Sequence, residues 1–303
     1  MRFEMTPQGP FNLDMSNKYF GGWISYDPDQ YTISMTFPVE GWRTSAAVLL
    51  HQNEKGTIIG DVYGAGKDTE VAWKQAMAVL SLDSDATGWP EVAQRDPVIG
   101  NLQTTYQFLR PVLFHSPYEA AAAFVISHRI SIQQSRNIRQ AMAQEIGEKV
   151  QVGEASLFAF PSPQALRELS SFKGINDEKI QRLHGIAQAA IDGLLDRDYL
   201  HSISVEQALA ELRSLYGIGE FFSQGILLRG AGLVDELTDD DVTKEAIQLA
   251  YKLPQRPDQK TVRQIAEAWH PFRMWGIVLL HVWLRREAGG PHRQESSSAR
   301  RKR

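Results

Sequence analysis

The chain has 303 residues, a hydrophobic fraction of 43%, no cysteine and a formal net charge of −4. That length suffices for two or three units with their own cores. The lack of cysteine excludes disulfides, thiolate nucleophiles, cysteine-held zinc and the usual cysteine-bound iron–sulfur clusters, and the acidic balance argues against a chain that coats nucleic acid by broad electrostatic attraction. No apolar run reaches membrane-spanning length, and the N-terminus MRFEMTPQGP has no apolar signal core, so a cytoplasmic chain without membrane association is expected.

Residues 1 to about 90 read as a small α/β unit. The run Tyr31 to Phe37 alternates as a strand does. The runs Ala46 to His51 and Thr57 to Tyr63 read as two strands joined by a polar turn at Asn53 to Gly56. Asp68 is expected to cap a helix that runs to about Leu80. The glycines of Gly64-Ala-Gly66 mark a loop, and the Gly-x-Gly-x-x-Gly nucleotide pattern is absent. Asp83 to Asp96 is polar and reads as a connection.

Beyond it the pattern is mostly helical. Ser116-Pro117 opens an alanine-rich, buried helix over Tyr118 to Ile126. Arg136 to Gly147 reads as a solvent-facing helix, with Ser127-His128-Arg129-Ile130-Ser131 between the two. Pro161-Ser162-Pro163 starts another helix, and Glu178 to Leu195 continues the helical part. The end, from Gly289, is polar; Arg293, Arg300, Arg301, Lys302 and Arg303 face only Glu295, and a disordered basic tail over 289–303 is expected.

The segment 209–230 organises the chain. Leu209, Leu212 and Leu215 lie on one helical face, Gly217-Ile218-Gly219 makes a two-glycine turn, and a second helical pattern starts at Glu220. Glycines allow close backbone approach, and the free N–H groups at the start of the second helix suit an anion such as a DNA phosphate. Such a grip reads no bases. Asp239-Asp240-Asp241 follows, 22 positions from Gly219 to Asp241. Read alone, three carboxylates before a helix are a capping pattern.

Leu215-Tyr216-Gly217-Ile218-Gly219, the loop Asp235 to Asp241, Trp269-His270-Pro271-Phe272-Arg273 and Leu279-Leu280-His281-Val282-Trp283 together resemble the helix-hairpin-helix DNA glycosylase superfamily. The nearest likeness is to the bacterial DNA-3-methyladenine glycosylase II type, convincing from near Leu102 to Glu287 and loose over the first 90 residues. The resemblance implies an α+β fold: a small antiparallel-sheet N-terminal domain (1–90), then a mostly α-helical two-lobe domain (91–288) with the active cleft between its lobes. It implies a monomeric, monofunctional enzyme of base excision repair. Its partner would be double-stranded DNA with damaged bases, and it would flip out alkylated purines such as 3-methyladenine and 7-methylguanine. No organic cofactor is implied; a monovalent cation on the hairpin backbone is.

On the same resemblance Asp241 is the catalytic carboxylate, with Asp240 the alternative one register away. Trp283 and Phe221 line the base pocket, with Tyr19 and Phe20 the candidates from the N-terminal unit; domain packing is the other reading of that pair. Relatives that also nick DNA carry a lysine where Phe221 stands, and phenylalanine cannot form a Schiff base. Gly217, Ile218 and Gly219 hold the DNA backbone with His128 and Arg129. Arg129 stands where the nearest relatives have an apolar wedge; its planar guanidinium suits stacking on bases or a phosphate contact. Gly225 implies a roomier pocket unless an aromatic from elsewhere fills the space. A basic face is expected from Arg129, Arg136, Arg139, Arg213 and Arg229. Three other readings stay open: a glycosylase for uracil or an oxidised purine, a non-catalytic DNA-damage-binding protein, and a purely structural helical protein with a chance hairpin.

Overall fold

The computed structural model describes residues 1–20, 30–238 and 240–287. Asp239 and the basic tail lie outside the described residues. The chain forms two compact units that interleave in sequence: Met1–Pro7, Phe20–Ser84 and Val112–Leu233 in the first, Gln8–Tyr19, Asp85–Pro111 and Val234–Arg303 in the second. The small sheet therefore shares a unit with the hairpin helices, and residue 90 is not where the units divide.

In the first unit, strands β1 (Arg2–Met5), β2 (Ile33–Pro38), β3 (Ser45–Gln52) and β4 (Ile58–Tyr63) form an antiparallel sheet of order β1-β4-β3-β2. Val48 stands opposite Val62, and Leu50 pairs with Ile33 on one side and Gly60 on the other. Six consecutive residues of β3, Ser45 to Leu50, are buried, so both faces of the strand are covered. The helix Thr69–Val79 takes one face: a Cβ on Gly60 would lie 2.6 Å from Trp73 Cζ3, so only glycine lets the indole close down on the strand. The hairpin β5 (Lys149–Val152) and β6 (Ala155–Phe158) takes the other, packing Val150 and Val152 on Tyr31, Ala47 and Leu49. Asp68 does not cap its helix by side chain. Its carboxylate instead accepts from Arg43 Nε at 3.1 Å and Nη2 at 2.5 Å, an ion pair that takes it out of the capping position.

Glu40 follows β2, and its Oε1 is shut off from solvent with no hydrogen-bond partner. Burial, with Asp196 nearby, pushes its carboxyl up to about 8. A folded-state value raised above the unfolded one stabilises fully below the unfolded value, and that contribution is lost as pH rises from about 4.5 through about 8. Wild type should thus lose on the order of 1 kcal/mol per pH unit across that window through this group. Glu40→Gln should flatten the slope, as urea unfolding at pH 5, 6.5 and 8 would measure.

The rest of the first unit is helical. Pro117–Ser127 is capped by Ser116, and Ile132–Ile146 opens with a capping box of Ser131 and Gln134. Its core holds Tyr118, Ile126, Leu183, Ile186, Leu212, Ile218 and Ile226. Ile218, the middle residue of the two-glycine turn, is thus a core anchor.

The second unit is built on aromatics. Trp89, Trp269 and Trp275 are fully buried, and Trp89 meets Phe272 at 5.5 Å and Trp275 at 5.6 Å. Arg110 is fully buried beneath them; its guanidinium lies 5.4 Å from the Trp275 ring, and its Nη2 donates to the Gln8 carbonyl at 2.5 Å. The stretch expected to be a plain connection carries the unit's central carboxylate. Asp96 caps the helix Pro97–Thr105 through Val98 and Ile99 N–H groups. It also accepts from Trp269 Nε1 at 2.7 Å and from the Tyr251 hydroxyl.

Candidate active site and nucleic-acid interface

Candidate residues occur in both units. In the first, the helix Val205–Ser214 ends at Leu215, and the helix Glu220–Gly225 begins after Gly219. Gly217 has φ +84°, which L side chains rarely adopt, and a Cβ there would meet the Arg182 side chain at 2.6 Å. A Cβ on Gly219 would meet nothing, so the surface before the second helix is open. Arg182 props the turn: it lies 5.4 Å from the Tyr216 ring and is held by Glu178. His128, Arg182, Arg213 and the turn line a groove of about 770 Å³.

His128 and Arg129 sit in the turn between Ser127 and Ser131, next to this groove. Arg129 is exposed with φ +58°, so the backbone presents it at the tip of the turn. His128 packs edge-on to Phe222 at 6.0 Å. Burial, with the cations of Arg129, Arg182 and Lys179, holds its imidazole below the usual histidine value. A neutral ring there adds no charge to the groove.

Phe221 is 59% exposed, and it is the outer member of an aromatic cluster that sequence reasoning missed. Phe124 stacks on Phe222 at 5.3 Å, meets Phe221 edge-on at 6.4 Å and lies 5.9 Å from Phe114. Phe124 also settles the matter of Gly225. A Cβ at that glycine would stand 2.5 Å from Phe124 Cζ, so an aromatic from another helix fills the space and no roomier pocket results. Gly225→Ala should push Phe124 out of its stack and cost about 1–3 kcal/mol, measurable by thermal unfolding. The pairing of Gly225 with Phe124 spans about a hundred residues, and no local pattern announces it.

The expected basic face is smaller than its five arginines. Arg129, Arg136 and Arg213 are exposed. Arg139 lies 3.8 Å from the buried Glu119 and over the Phe114 ring, and Arg229 donates to the Val112 carbonyl at 2.6 Å and covers the Phe20 ring. Those two cations serve packing. Phe20, under Arg229, is half-buried.

In the second unit the acidic loop leads into the helix Asp241–Ala250. Its entry is pinned by Asp235, which accepts from Arg273 Nη1 at 2.8 Å and lies 2.6 Å from His270 Nδ1, and by the Met274 N–H donating to the Val234 carbonyl. The WHPFR segment therefore fixes the loop. Asp241 is the first helical residue; its side chain is 84% exposed and paired with Arg256 at 3.1 Å. Asp240 is the N-cap and is half-buried. Its Oδ1 accepts from the Thr243 N–H at 2.9 Å and its Oδ2 from the Thr243 hydroxyl at 2.9 Å. Burial pushes this carboxyl up, but hydrogen bonds from Thr238 and Thr243 and the neighbouring His281 outweigh it and hold it below the usual aspartate range. Asp240 is thus an ionised carboxylate in fixed orientation, and Asp241 is a solvated one neutralised by an arginine.

Trp283 is half-buried on the helix Arg273–Arg286. Tyr19 packs edge-on to Tyr106 at 5.1 Å with the Arg286 guanidinium 5.4 Å from its ring, a packed position. The hairpin, His128, Arg129, Phe20 and Phe221 thus fall in one unit, and Asp240, Asp241, Trp283 and Tyr19 in the other. Among the described residues no helix is long and apolar enough to cross a membrane, and no group of three His, Asp or Glu side chains could hold a metal ion.

No family model matches the chain. A DNA-3-methyladenine glycosylase of Bacillus subtilis is 20% identical over 207 residues, 66% of this chain and 68% of that one. DNA-3-methyladenine glycosylase 2 of Escherichia coli is 27% identical over 173 residues, so the matched stretch spans 55% of this chain and 56% of that relative. Among solved structures, 3-methyladenine DNA-glycosylase from Archaeoglobus fulgidus superposes with a TM-score of 0.76 at 18% identity, over 93% of this chain and 98% of that one. An 8-oxoguanine glycosylase/lyase of Clostridium acetobutylicum, in complex with double-stranded DNA, gives 0.66 at 16% identity, over 95% and 98%. The α+β fold with its small antiparallel sheet is that of these proteins.

Proposed function

From a chain that resembles the helix-hairpin-helix DNA glycosylases in sequence and fold, we propose a DNA glycosylase that removes alkylated purines from duplex DNA and leaves an abasic site. The observation that carries the reading is the state of Asp240: half-buried, ionised and locked by Thr243 at the N-terminus of a helix. Cleaving a base from deoxyribose makes the sugar cation-like in the transition state. A fixed carboxylate favours that charge without reorganising as it forms, and it can orient the attacking water. Asp240 takes this role. Asp241, exposed and paired with Arg256, serves the helix N-terminus.

The hairpin and the cations around its groove would hold the DNA backbone, the N–H groups after Gly219 facing a phosphate. A monovalent cation at the turn would bind backbone carbonyls; that of Leu215 already accepts the Ile218 N–H and keeps one lone pair. Arg129, at the tip of its turn, would enter or flank the duplex where a base is extruded. Phe221 and Trp283 are the aromatic residues proposed for base recognition, and a cationic alkylated purine favours an electron-rich face over a neutral base.

Relatives of both alkyl-purine and 8-oxoguanine kinds share the fold, so the substrate class needs its own test. Release rates from duplexes carrying methylated purines, uracil or 8-oxoguanine should be highest for the methylated purines; preference for another lesion would reassign the substrate. Phe221 supplies no amine, so borohydride should not trap the protein on DNA and no strand break should accompany base release. A trapped species would place a Schiff-base lysine elsewhere.

A further inference from the structure

Asp240 does not stand alone. The Thr243 hydroxyl, on a residue 1% exposed, touches three groups: Asp240 Oδ2 at 2.9 Å, Thr238 Oγ1 at 3.0 Å and His281 Nε2 at 3.0 Å. A hydroxyl has one proton and two lone pairs. An ionised carboxylate only accepts, so the Thr243 proton must point to Asp240. With that proton committed, Thr243 meets His281 as an acceptor, and Nε2 must carry hydrogen. Were His281 to accept instead, the Thr243 and Asp240 oxygens would face each other at 2.9 Å with no proton between them.

We propose that His281 and Thr243 are positioning residues for Asp240: the His281 Nε2–H locks the Thr243 hydroxyl so that its proton points at Asp240, and the two fix the carboxylate in the orientation that faces the deoxyribose. The catalytic part rests on the function proposed above; the proton arrangement does not. A threonine hydroxyl otherwise rotates among staggered positions. The partner that removes this freedom comes from the helix Arg273–Arg286, which packs across the helix that Asp240 caps. The same anchor explains a polar side chain at position 281 within the run Ile277 to Leu284, whose other residues are all apolar.

Thr243→Val keeps the shape and removes the hydroxyl. It should lower kcat for base release ~10- to 100-fold with KM nearly unchanged, since misplacing a reacting group by up to about 1 Å costs as much as about 100-fold. Thr243→Ser keeps the hydroxyl and should restore kcat to within about threefold. His281→Gln should fall between them. Independently of activity, nitrogen NMR of the wild-type protein should show a proton on Nε2 of His281, and that proton should exchange faster with water in Thr243→Val. Full kcat in Thr243→Val, with Asp240→Asn inactive, would overturn the proposal. So would a His281 protonated on Nδ1 alone. If wild type releases no base from any lesion duplex, the function reading fails and the catalytic role goes with it, while the NMR result still decides the proton arrangement.

Discussion

Asp240→Asn should lose about 100- to 1,000-fold in the rate of base release, the range found when one preorganised charge-stabilising group is removed from an active site. The substitution is a clean probe. Asparagine caps a helix about as well as aspartate, so the Thr243 N–H keeps its acceptor and the helix Asp241–Ala250 keeps its start. What is lost is the charge. The Asp240 carboxyl is depressed by its hydrogen bonds and by His281, so its ionised form contributes stability above the unfolded aspartate value and loses it as pH falls through the folded one. Asparagine forfeits that contribution at neutral pH, and the variant should unfold about 1–2 kcal/mol more easily. Asp241→Asn is the contrast. It breaks an exposed pair with Arg256, worth about 0–1 kcal/mol, and should leave base release within about twofold of wild type. Loss of activity in Asp241→Asn with retention in Asp240→Asn would reverse the assignment.

Asp96→Ala should destabilise the protein by about 3–7 kcal/mol, measured by urea unfolding. Its carboxylate caps one helix and accepts from two side chains in the second unit. Losing the cap costs about 1 kcal/mol. The Trp269 Nε1–H, on a fully buried ring, and the half-buried Tyr251 hydroxyl would each lose an acceptor, at about 1–3 kcal/mol apiece. Tyr251 also closes the C-terminal end of the helix that begins next to Asp240. Asp96 therefore clamps one end of the helix whose other end carries the candidate catalytic carboxylate, and its loss should lower activity at temperatures well below the unfolding midpoint of wild type. A loss under about 1 kcal/mol would mean that water replaces the carboxylate and that Trp269 is held by packing alone.

Much of the fold was legible in the amino-acid sequence. The hairpin was, because two glycines between two apolar-periodic runs leave few alternatives, and the helices Val205–Ser214 and Glu220–Gly225 bracket the turn as read. Strands β2, β3 and β4 were, from the alternation of Tyr31 to Phe37 and the runs Ala46 to His51 and Thr57 to Tyr63. Strand β1 was not, since the alternation of Arg2-Phe3-Glu4-Met5 covers only four residues, too short a run to stand out. The hairpin of β5 and β6 was missed for the same reason of length. Asp68 illustrates a capping residue claimed by a distant arginine, which no local rule foresees.

The choice within Asp239-Asp240-Asp241 shows the limit more sharply. All three are capping residues by type, and the resemblance points to Asp241, with Asp240 one register away. What distinguishes Asp240 from Asp241 lies three residues on. Thr243, Ala246 and Ile247 are buried, which sets the inner face of the helix; Asp240 lies on that face and Asp241 turns to solvent. Phe124 was invisible in another way. It meets the hairpin helices only once the chain has folded back over about a hundred residues, and its alanine-rich helix reads as plain core.

The measurement that bears most directly on the central claim is the release of free bases from methylated duplex DNA by the wild-type protein. The expected result is free 3-methyladenine or 7-methylguanine, with alkali-labile abasic sites and unbroken strands before alkali. Folded protein that binds abasic-site DNA yet frees no base from methylated, uracil-containing or oxidised duplexes would contradict it, and the chain would then be a damage-binding protein without catalysis.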